Sequence, residues 1–123
     1  MFKVPLLPPH HRVIHATIFS HFARKTPVMR DPSLSALCAK LWRKHFVSGR
    51  EGPTVWVLKG KESIQAAATV EGIFINATSV IRQAKKTRRA FVTNLLKHEL
   101  MHWAGYGHTP TMKKLLKKIG GSS

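Results

Sequence analysis

The apolar residues in the first half of the chain recur with the period of amphipathic helices. From Pro32 onward, one stripe has three- and four-residue spacing and consists of Leu34, Leu37, Cys38, Leu41, Trp42 and Phe46. Asp31 and Pro32 supply an N-cap and a first-turn proline for this helix. A weaker pattern over residues 10 to about 25 predicts an earlier helix. The sequence therefore predicts N-terminal helices, with Cys38 on an apolar face where it serves packing and not nucleophilic chemistry.

The middle of the chain has the short apolar runs and turn residues that are typical of β-strands. Three runs, at residues 54–58, 63–70 and 73–77, are separated by turns at 60–61 and 71–72. A small three-stranded antiparallel meander is the simplest sheet that these runs can form. An exposed edge of such a sheet can bind an extended peptide by strand addition. The sequence leaves open which edge is free.

The last third of the chain predicts two more helices. Thr78 or Ser79 can cap a long helix that continues to about Trp103, and Thr109 with Pro110 can begin a final one. The apolar stripe of the final helix consists of Met112, Leu115, Leu116 and Ile119. This stripe is expected to dock on the long helix. The pattern as a whole predicts an α+β fold.

Length and composition favour one compact domain. The chain has 123 residues, 43% of them hydrophobic, which suits one ordinary domain and not two. We predict a single domain over residues 1–123, with an irregular arm at 1–9 and a flexible tail at 120–123. The single cysteine excludes an intramolecular disulfide and fits a reducing compartment. No signal peptide or membrane-spanning run is recognisable, so a soluble intracellular protein is expected, cytoplasmic or associated with a nucleus or nucleoid.

The balance of charge points to a polyanionic partner. The formal net charge is +16, from 21 basic and 5 acidic residues. Such a charge attracts DNA or another polyanion in a salt-dependent way. The candidate contacts are Lys40, Arg43, Lys44, Lys85, Lys86, Arg88, Arg89, Lys113, Lys114, Lys117 and Lys118. The alternative is a solvated surface that only keeps the protein soluble. Because the basic residues are spread through the chain, a membrane surface is a less favoured partner.

The strongest chemical signal is a His-Glu-x-x-His motif on the predicted long helix. His98 and His102 would lie one turn apart on one face, so both imidazoles can bind one ion. Glu99 would lie about 100° around the helix, beside the ion and not bound to it. From there a carboxylate can act as the general base toward a water molecule that the ion activates. The pattern predicts a catalytic zinc site.

The third ligand follows by elimination. No Asp or Glu occurs after Glu99, which leaves His108 as the strong downstream candidate. Gly105 and Gly107 accept positive φ and can turn the chain back toward the ion. The alternative is that the histidines are hydrogen-bonded core residues, because they continue an apolar stripe. That stripe consists of Ala84, Phe91, Leu95, His98 and His102.

These residues resemble the SprT-like zinc metallopeptidases, which include the Spartan-type proteases of DNA–protein crosslinks. The similarity covers roughly residues 34–119 and includes a lysine-bearing amphipathic helix after the third histidine, but only the segment from His98 to His108 is specific. The resemblance implies a zincin-like minimal protease that acts on DNA-associated proteins. The chain departs from many members in having no cysteine zinc ribbon and in carrying Met112 where an aromatic residue is usual. The YgjP-like metallopeptidases are similar to nearly the same degree.

The predicted function is therefore zinc-dependent hydrolysis of peptide bonds. His98, His102 and His108 would bind Zn²⁺, Glu99 would be the general base, and Tyr106 would donate a hydrogen bond to the developing oxyanion or to the substrate. One alternative is a basic nucleic-acid-binding protein with a structural or vestigial metal site. Another is a regulatory protein that binds an acidic partner. Glu99 separates these functions, because binding alone needs no carboxylate there.

Overall fold

Helices pack against a small mixed sheet in this α+β fold. The computed structural model describes residues 2–8, 28–47, 51–58, 65–69 and 71–121. In chain order the elements are β1 (Val28–Arg30), α1 (Pro32–His45), β2 (Val55–Leu58), β3 (Ala66–Thr69), β4 (Gly72–Asn76), α2 (Ala77–Ile81), a 3-10 turn (Lys85–Thr87), α3 (Arg88–Ala104) and α4 (Pro110–Lys118). The earlier helix predicted over residues 10–25 lies outside the described residues.

The sheet has four strands in the order β1-β2-β4-β3. β1 pairs with β2 and β3 pairs with β4 in antiparallel fashion, whereas β2 and β4 are parallel, with Trp56 opposite Phe74. All three predicted strands form, but the predicted antiparallel meander is wrong, because β1 joins the sheet and β2 pairs with β4 in parallel. The bulk of the side chains explains the order. β4 is buried at all five positions and lies inside the sheet, whereas β3 contributes three alanines and forms an edge.

Gly72 makes the tight β3–β4 connection possible. Its φ is +131°, and a Cβ at this position would overlap the Thr54 carbonyl oxygen. Because strained φ alone costs about 1–3 kcal/mol and the carbonyl belongs to the backbone, we expect Gly72→Ala to lower the free energy of unfolding by at least about 2 kcal/mol. Urea denaturation measures this loss. The control is Gly107→Ala, where a Cβ would meet nothing within 4 Å; similar losses in both variants would contradict the explanation.

Helix α1 forms as its sequence predicts. The Asp31 side chain accepts a hydrogen bond of 2.9 Å from the Leu34 N–H, and Pro32 occupies the first turn. The helix buries Cys38 and Trp42, and the Trp42 ring stacks on Phe46 with centroids 4.7 Å apart. Burial raises the pKa of the Cys38 thiol to about 12. A thiol that stays protonated is inert, so the packing role predicted for this cysteine is confirmed.

The long helix predicted from Thr78 or Ser79 to Trp103 is interrupted. The Asn76 side chain caps α2 by accepting from the Thr78 N–H at 3.1 Å, and regular α3 begins only at Arg88. The Arg88 guanidinium donates to the Gln83 and Ile81 carbonyls, each at 3.0 Å. Backbone carbonyls in the break are thereby satisfied by a side chain in place of the helical ladder. Periodicity could not reveal this, because apolar spacing continues across the break.

Helix α3 lies in the centre of the molecule and α4 covers it. The core cluster joins side chains from α1, β2, β4, α3 and α4, among them Trp42, Val55, Ile73, Ile75, Leu96, Leu100, Met112 and Leu116. Thr109 caps α4 by accepting from the Met112 N–H at 3.2 Å. The predicted docking of the last apolar stripe is confirmed. Within the described parts of the chain, no helix has both the length and the apolarity needed to cross a membrane.

Candidate metal centre

The three motif histidines converge in space. His98, His102 and His108 each offer a ring nitrogen, and these atoms all lie within 4.8 Å of one another. The ring centroids are 4.7–5.2 Å apart. This group is close enough to hold a metal ion. Three imidazoles suit several metals, including zinc, copper, iron and nickel.

Local backbone geometry brings the third histidine to the other two. His98 and His102 lie one turn apart on α3, which ends at Gly105 with φ +113°. The Tyr106 N–H donates to the Met101 carbonyl at 2.9 Å and so closes the helix end. His108 then directly precedes the cap of α4. The expectation for Gly105 is confirmed, whereas Gly107 does not have positive φ and is not needed for the turn.

His102 is oriented by the backbone that follows the helix. Its Nδ1 lies 2.7 Å from the Tyr106 carbonyl oxygen, and the side chain is 1% exposed. Since a carbonyl can only accept, Nδ1 bears the proton and donates it. Nε2 is then the unprotonated nitrogen, whose lone pair can bind a metal. Such partners of ligand histidines fix both the tautomer and the ring orientation.

The environment of His98 also favours the neutral ring that metal binding requires. Its pKa is lowered first by burial and second by the charge of His108. Neutral imidazole is the form that binds metals. A metal would therefore compete with few protons for His98 near neutral pH.

Glu99 lies beside the histidine group and is not part of it. Its side chain is 5% exposed, one carboxylate oxygen accepts the Ala68 backbone N–H, and Oε2 is buried without a hydrogen-bond partner. Burial raises the pKa of Glu99 to about 7, against the smaller opposing effect of the Ala68 hydrogen bond. A buried polar atom without a partner is rare in folded proteins. Oε2 therefore keeps its full capacity to accept a hydrogen bond.

The Ala68 N–H belongs to the free edge of β3. The Asn76 N–H donates to the Gln65 carbonyl, and Ala67 pairs with Phe74. In an antiparallel ladder alternate residues face the partner strand, so the backbone groups of Ala66 and Ala68 face away from β4. Among the described residues no strand pairs with this side of β3, so this edge of the sheet borders Glu99.

A cavity of about 560 Å³ opens beside the histidines. Its lining consists of His98, His108, Thr109, Pro110, Met112 and Lys113. Met112 was expected to be a core residue, and it is 2% exposed while also contributing to this wall. The lining thus combines apolar residues, Pro110 and Met112, with polar residues and the basic residue Lys113.

No match was found. Neither models of known protein families, nor curated proteins, nor solved structures match this chain. What the centre does must therefore be argued from its geometry and chemistry.

The structure places Tyr106 differently from its predicted role. The side chain is 7% exposed, and its hydroxyl donates to the Pro5 carbonyl at 2.7 Å. The hydroxyl proton is thus directed to the N-terminal arm and not to a substrate oxyanion. The group that faces the metal centre is the Tyr106 carbonyl. The sequence could not predict the role of this carbonyl, because every residue type has the same backbone carbonyl.

The predicted nucleic-acid contacts are almost all on the surface. Those on α1, around the start of α3 and on α4 are exposed: Lys40, Arg43, Lys44, Lys85, Lys86, Arg89, Lys113, Lys114, Lys117 and Lys118. Arg88 is half-buried and holds two backbone carbonyls. Its guanidinium therefore stabilises the start of α3. Arg88 thus has a structural role that does not depend on nucleic acid.

One basic cluster includes residues beyond that set. The pKa of His45 is lowered by burial and then by the charges of Lys97 and Lys44, and the pKa of Lys97 is lowered by burial and by Lys44. Because folding depresses the pKa of His45, the unfolded chain binds its proton more strongly. The contribution of His45 therefore lowers the free energy of unfolding as the pH drops below about 6.5.

We expect Lys97→Gln to raise the pKa of His45 and to reduce the acid-side loss of stability. The physical reason is the removal of a like charge beside the imidazole. Proton NMR titration of His45 measures the pKa, and thermal unfolding across pH 5–8 measures the stability. Lys86→Gln is the control, since Lys86 has no part in the His45 shift; an equal change there would assign the effect to net charge alone.

Proposed function

We propose that this protein is a zinc-dependent metallopeptidase of the SprT-like type with a zincin-like fold. The observation that supports this best is the buried, partnerless Oε2 of Glu99 beside three convergent histidines. The donor set fits zinc, because catalytic zinc sites use three protein ligands and leave a position open. A structural site would be closed by a fourth side chain, and the described residues supply none to this group.

Each residue of the centre then has a defined part in hydrolysis. His98, His102 and His108 hold the ion, which when bound supplies a Lewis acid that activates water and polarises a carbonyl. Glu99 accepts a proton from the attacking water as its oxygen adds to the scissile carbonyl carbon. Glu99 later gives that proton to the amine as the C–N bond breaks. Burial raises the pKa of Glu99 and so makes its carboxylate a stronger base than that of an exposed glutamate.

The free edge of β3 supports an extended substrate. The backbone groups of Ala66 and the Ala68 carbonyl face away from β4 and can pair with a peptide, whereas the Ala68 N–H donates to Glu99. A peptide that adds as a further strand forms backbone hydrogen bonds without regard to its sequence. This arrangement brings a peptide bond near the general base, and the adjoining cavity accommodates a side chain.

The proposed substrates are proteins associated with DNA. The charge of +16 supports binding to a polyanion, and ten of the eleven candidate basic contacts are exposed. Phosphate contacts of this kind are sequence-independent and salt-dependent. A polyanion that binds both enzyme and substrate would raise their local concentration. The proposal therefore includes stimulation of cleavage by DNA.

The test is cleavage of a basic DNA-binding protein by the zinc-loaded chain, with and without DNA, at low and high salt. We expect zinc-dependent cleavage that DNA increases and that added salt reduces. Zinc-dependent cleavage at the same rate with and without DNA would support the peptidase activity and contradict the proposed substrate class. Salt-sensitive DNA binding without any cleavage, under conditions where zinc is bound, would favour a binding protein. Binding to an acidic protein but not to DNA would favour a regulatory role.

A further inference from the structure

The N-terminal arm, Phe2–Pro8, is docked against the body of the protein although it forms no helix or strand. Val4 is fully buried and makes a parallel β-bridge to Phe46. The Val4 N–H donates to the His45 carbonyl at 2.7 Å, and the Val4 carbonyl accepts from the Val47 N–H at 2.9 Å. The arm is thus fixed at the end of α1. The prediction of irregular structure here agrees with the described part, but the arm is not loosely held.

The same arm reaches the end of the metal-binding helix. The Leu7 N–H donates to the carbonyl of Ala104, the last residue of α3, at 2.9 Å. The Pro5 carbonyl accepts from the Tyr106 hydroxyl at 2.7 Å. The last carbonyls of a helix have no intrahelical donor. The Leu7 N–H supplies a donor for one of these carbonyls, that of Ala104. Two hydrogen bonds therefore hold the segment just after α3 from a part of the chain about a hundred residues away.

That segment also holds a metal ligand. The Tyr106 carbonyl accepts the Nδ1 proton of His102 at 2.7 Å. A continuous series of contacts consequently runs from Pro5 through the Tyr106 side chain and backbone to His102. The same backbone continues through Gly107 to His108, so it also sets where the third ligand begins.

We propose that Tyr106 is a positioning residue through which the N-terminal arm holds His102 in the orientation that binds metal. The arm fixes the Tyr106 ring, the ring fixes the Tyr106 backbone, and the carbonyl fixes the tautomer and plane of His102. This inference concerns the metal centre and stands whether or not the centre is catalytic.

The contact between the Tyr106 carbonyl and His102 is expected to affect metal binding in addition to folding. Free histidine rings rotate and exchange tautomers, and ordering a ring costs conformational entropy when the ion binds. A ring that is already held loses less on binding, which is preorganisation. Removing outer partners of ligand histidines typically weakens metal binding about 10–100-fold. Because Tyr106→Phe removes only the link to the arm and keeps the carbonyl, we expect the lower end of that range.

The test compares zinc affinity, measured by chelator competition on the full chain, in Tyr106→Phe and in the wild type. We expect about tenfold weaker binding. A second variant, Leu7→Pro, removes the N–H that donates to the Ala104 carbonyl. It is also expected to weaken zinc binding. In the metal-free protein, the Nδ1 proton of His102 is expected to exchange with solvent faster in both variants, which proton NMR measures.

Ser35→Ala is the matched control. The Ser35 hydroxyl accepts from the Val55 N–H at 3.0 Å and donates to the Val55 carbonyl at 3.4 Å, so its loss also removes side-chain-to-backbone hydrogen bonds, here between α1 and β2. We expect this variant to lose stability while keeping wild-type zinc affinity and proton exchange. The proposal is overturned if Tyr106→Phe lowers only the melting temperature. It is equally overturned if Ser35→Ala weakens zinc binding as much.

Discussion

Replacing Glu99 with glutamine is expected to reduce peptide hydrolysis by about 10²–10⁴-fold, the range that a positioned general base contributes. Glutamine can still accept the Ala68 N–H and fills nearly the same volume, so the surroundings remain packed. It has no basic oxygen that can take a proton from water. Because Glu99 is outside the histidine group, the metal content should not change. The measurement is the single-turnover rate of cleavage together with elemental metal analysis.

The same substitution has a second expected result that distinguishes it from ordinary damage. Burial raises the pKa of Glu99 from 4.5 to about 7 in the folded chain. The folded state therefore binds this proton more strongly, and stability is lost as pH rises from about 4.5 to about 7, by up to about 3 kcal/mol. The metal-free glutamine variant avoids this loss and should melt higher than wild type at pH 8. Glu71→Gln, at an exposed site, is the control. Retained hydrolysis in the Glu99 variant would refute the assigned base.

Replacing His108 with alanine is expected to weaken zinc binding by more than about a hundredfold, the upper end of what the loss of an outer partner costs. One of three ligands disappears, and the two remaining imidazoles on α3 form an incomplete site. His108 is exposed, so its loss should leave the fold intact. Chelator competition measures the affinity, and circular dichroism verifies the fold.

His45→Ala is the control for this experiment, because His45 lies in the basic cluster and not in the histidine group. It should retain wild-type zinc affinity. If His108→Ala also retained it, the third ligand would have to come from elsewhere, and the catalytic geometry proposed above would fail. Equal losses in both variants would indicate that zinc binds the surface of the protein without a defined site.

Local sequence rules predicted the elements well where one side chain decides the outcome. Asp31 and Thr109 cap their helices as expected, and Gly105 ends α3 in the left-handed region. Strand neighbours were not predictable in the same way, because pairing depends on which surfaces are bulkiest once the chain is folded. The turn at residues 71–72 correctly identified β3 and β4 as antiparallel neighbours. It could not indicate that β2 pairs with β4 in parallel.

The candidate site was predictable as far as its side chains and not as far as its backbone. The spacing of His98 and His102 follows from helix geometry, and His108 follows from the lack of later carboxylates. The most informative partners in the site are the Tyr106 carbonyl, which accepts from His102, and the Ala68 N–H, which donates to Glu99. Every residue offers these groups, so only the fold decides which of them reach the site. The role of the arm was hidden for the same reason, since Pro5 acts through its carbonyl oxygen.

The buried thiol gives the protein an internal reporter of its own opening. Cys38 is the only cysteine, is fully buried in α1, and has a pKa of about 12. A thiol reagent can reach it only when α1 separates from the core, and thiolate forms readily only then. Its labelling rate under native conditions therefore measures how often that part of the core opens. Comparing the labelling rate with and without zinc measures how much metal binding protects this part of the core. Slower labelling with zinc would show such protection at a residue that does not contact the metal.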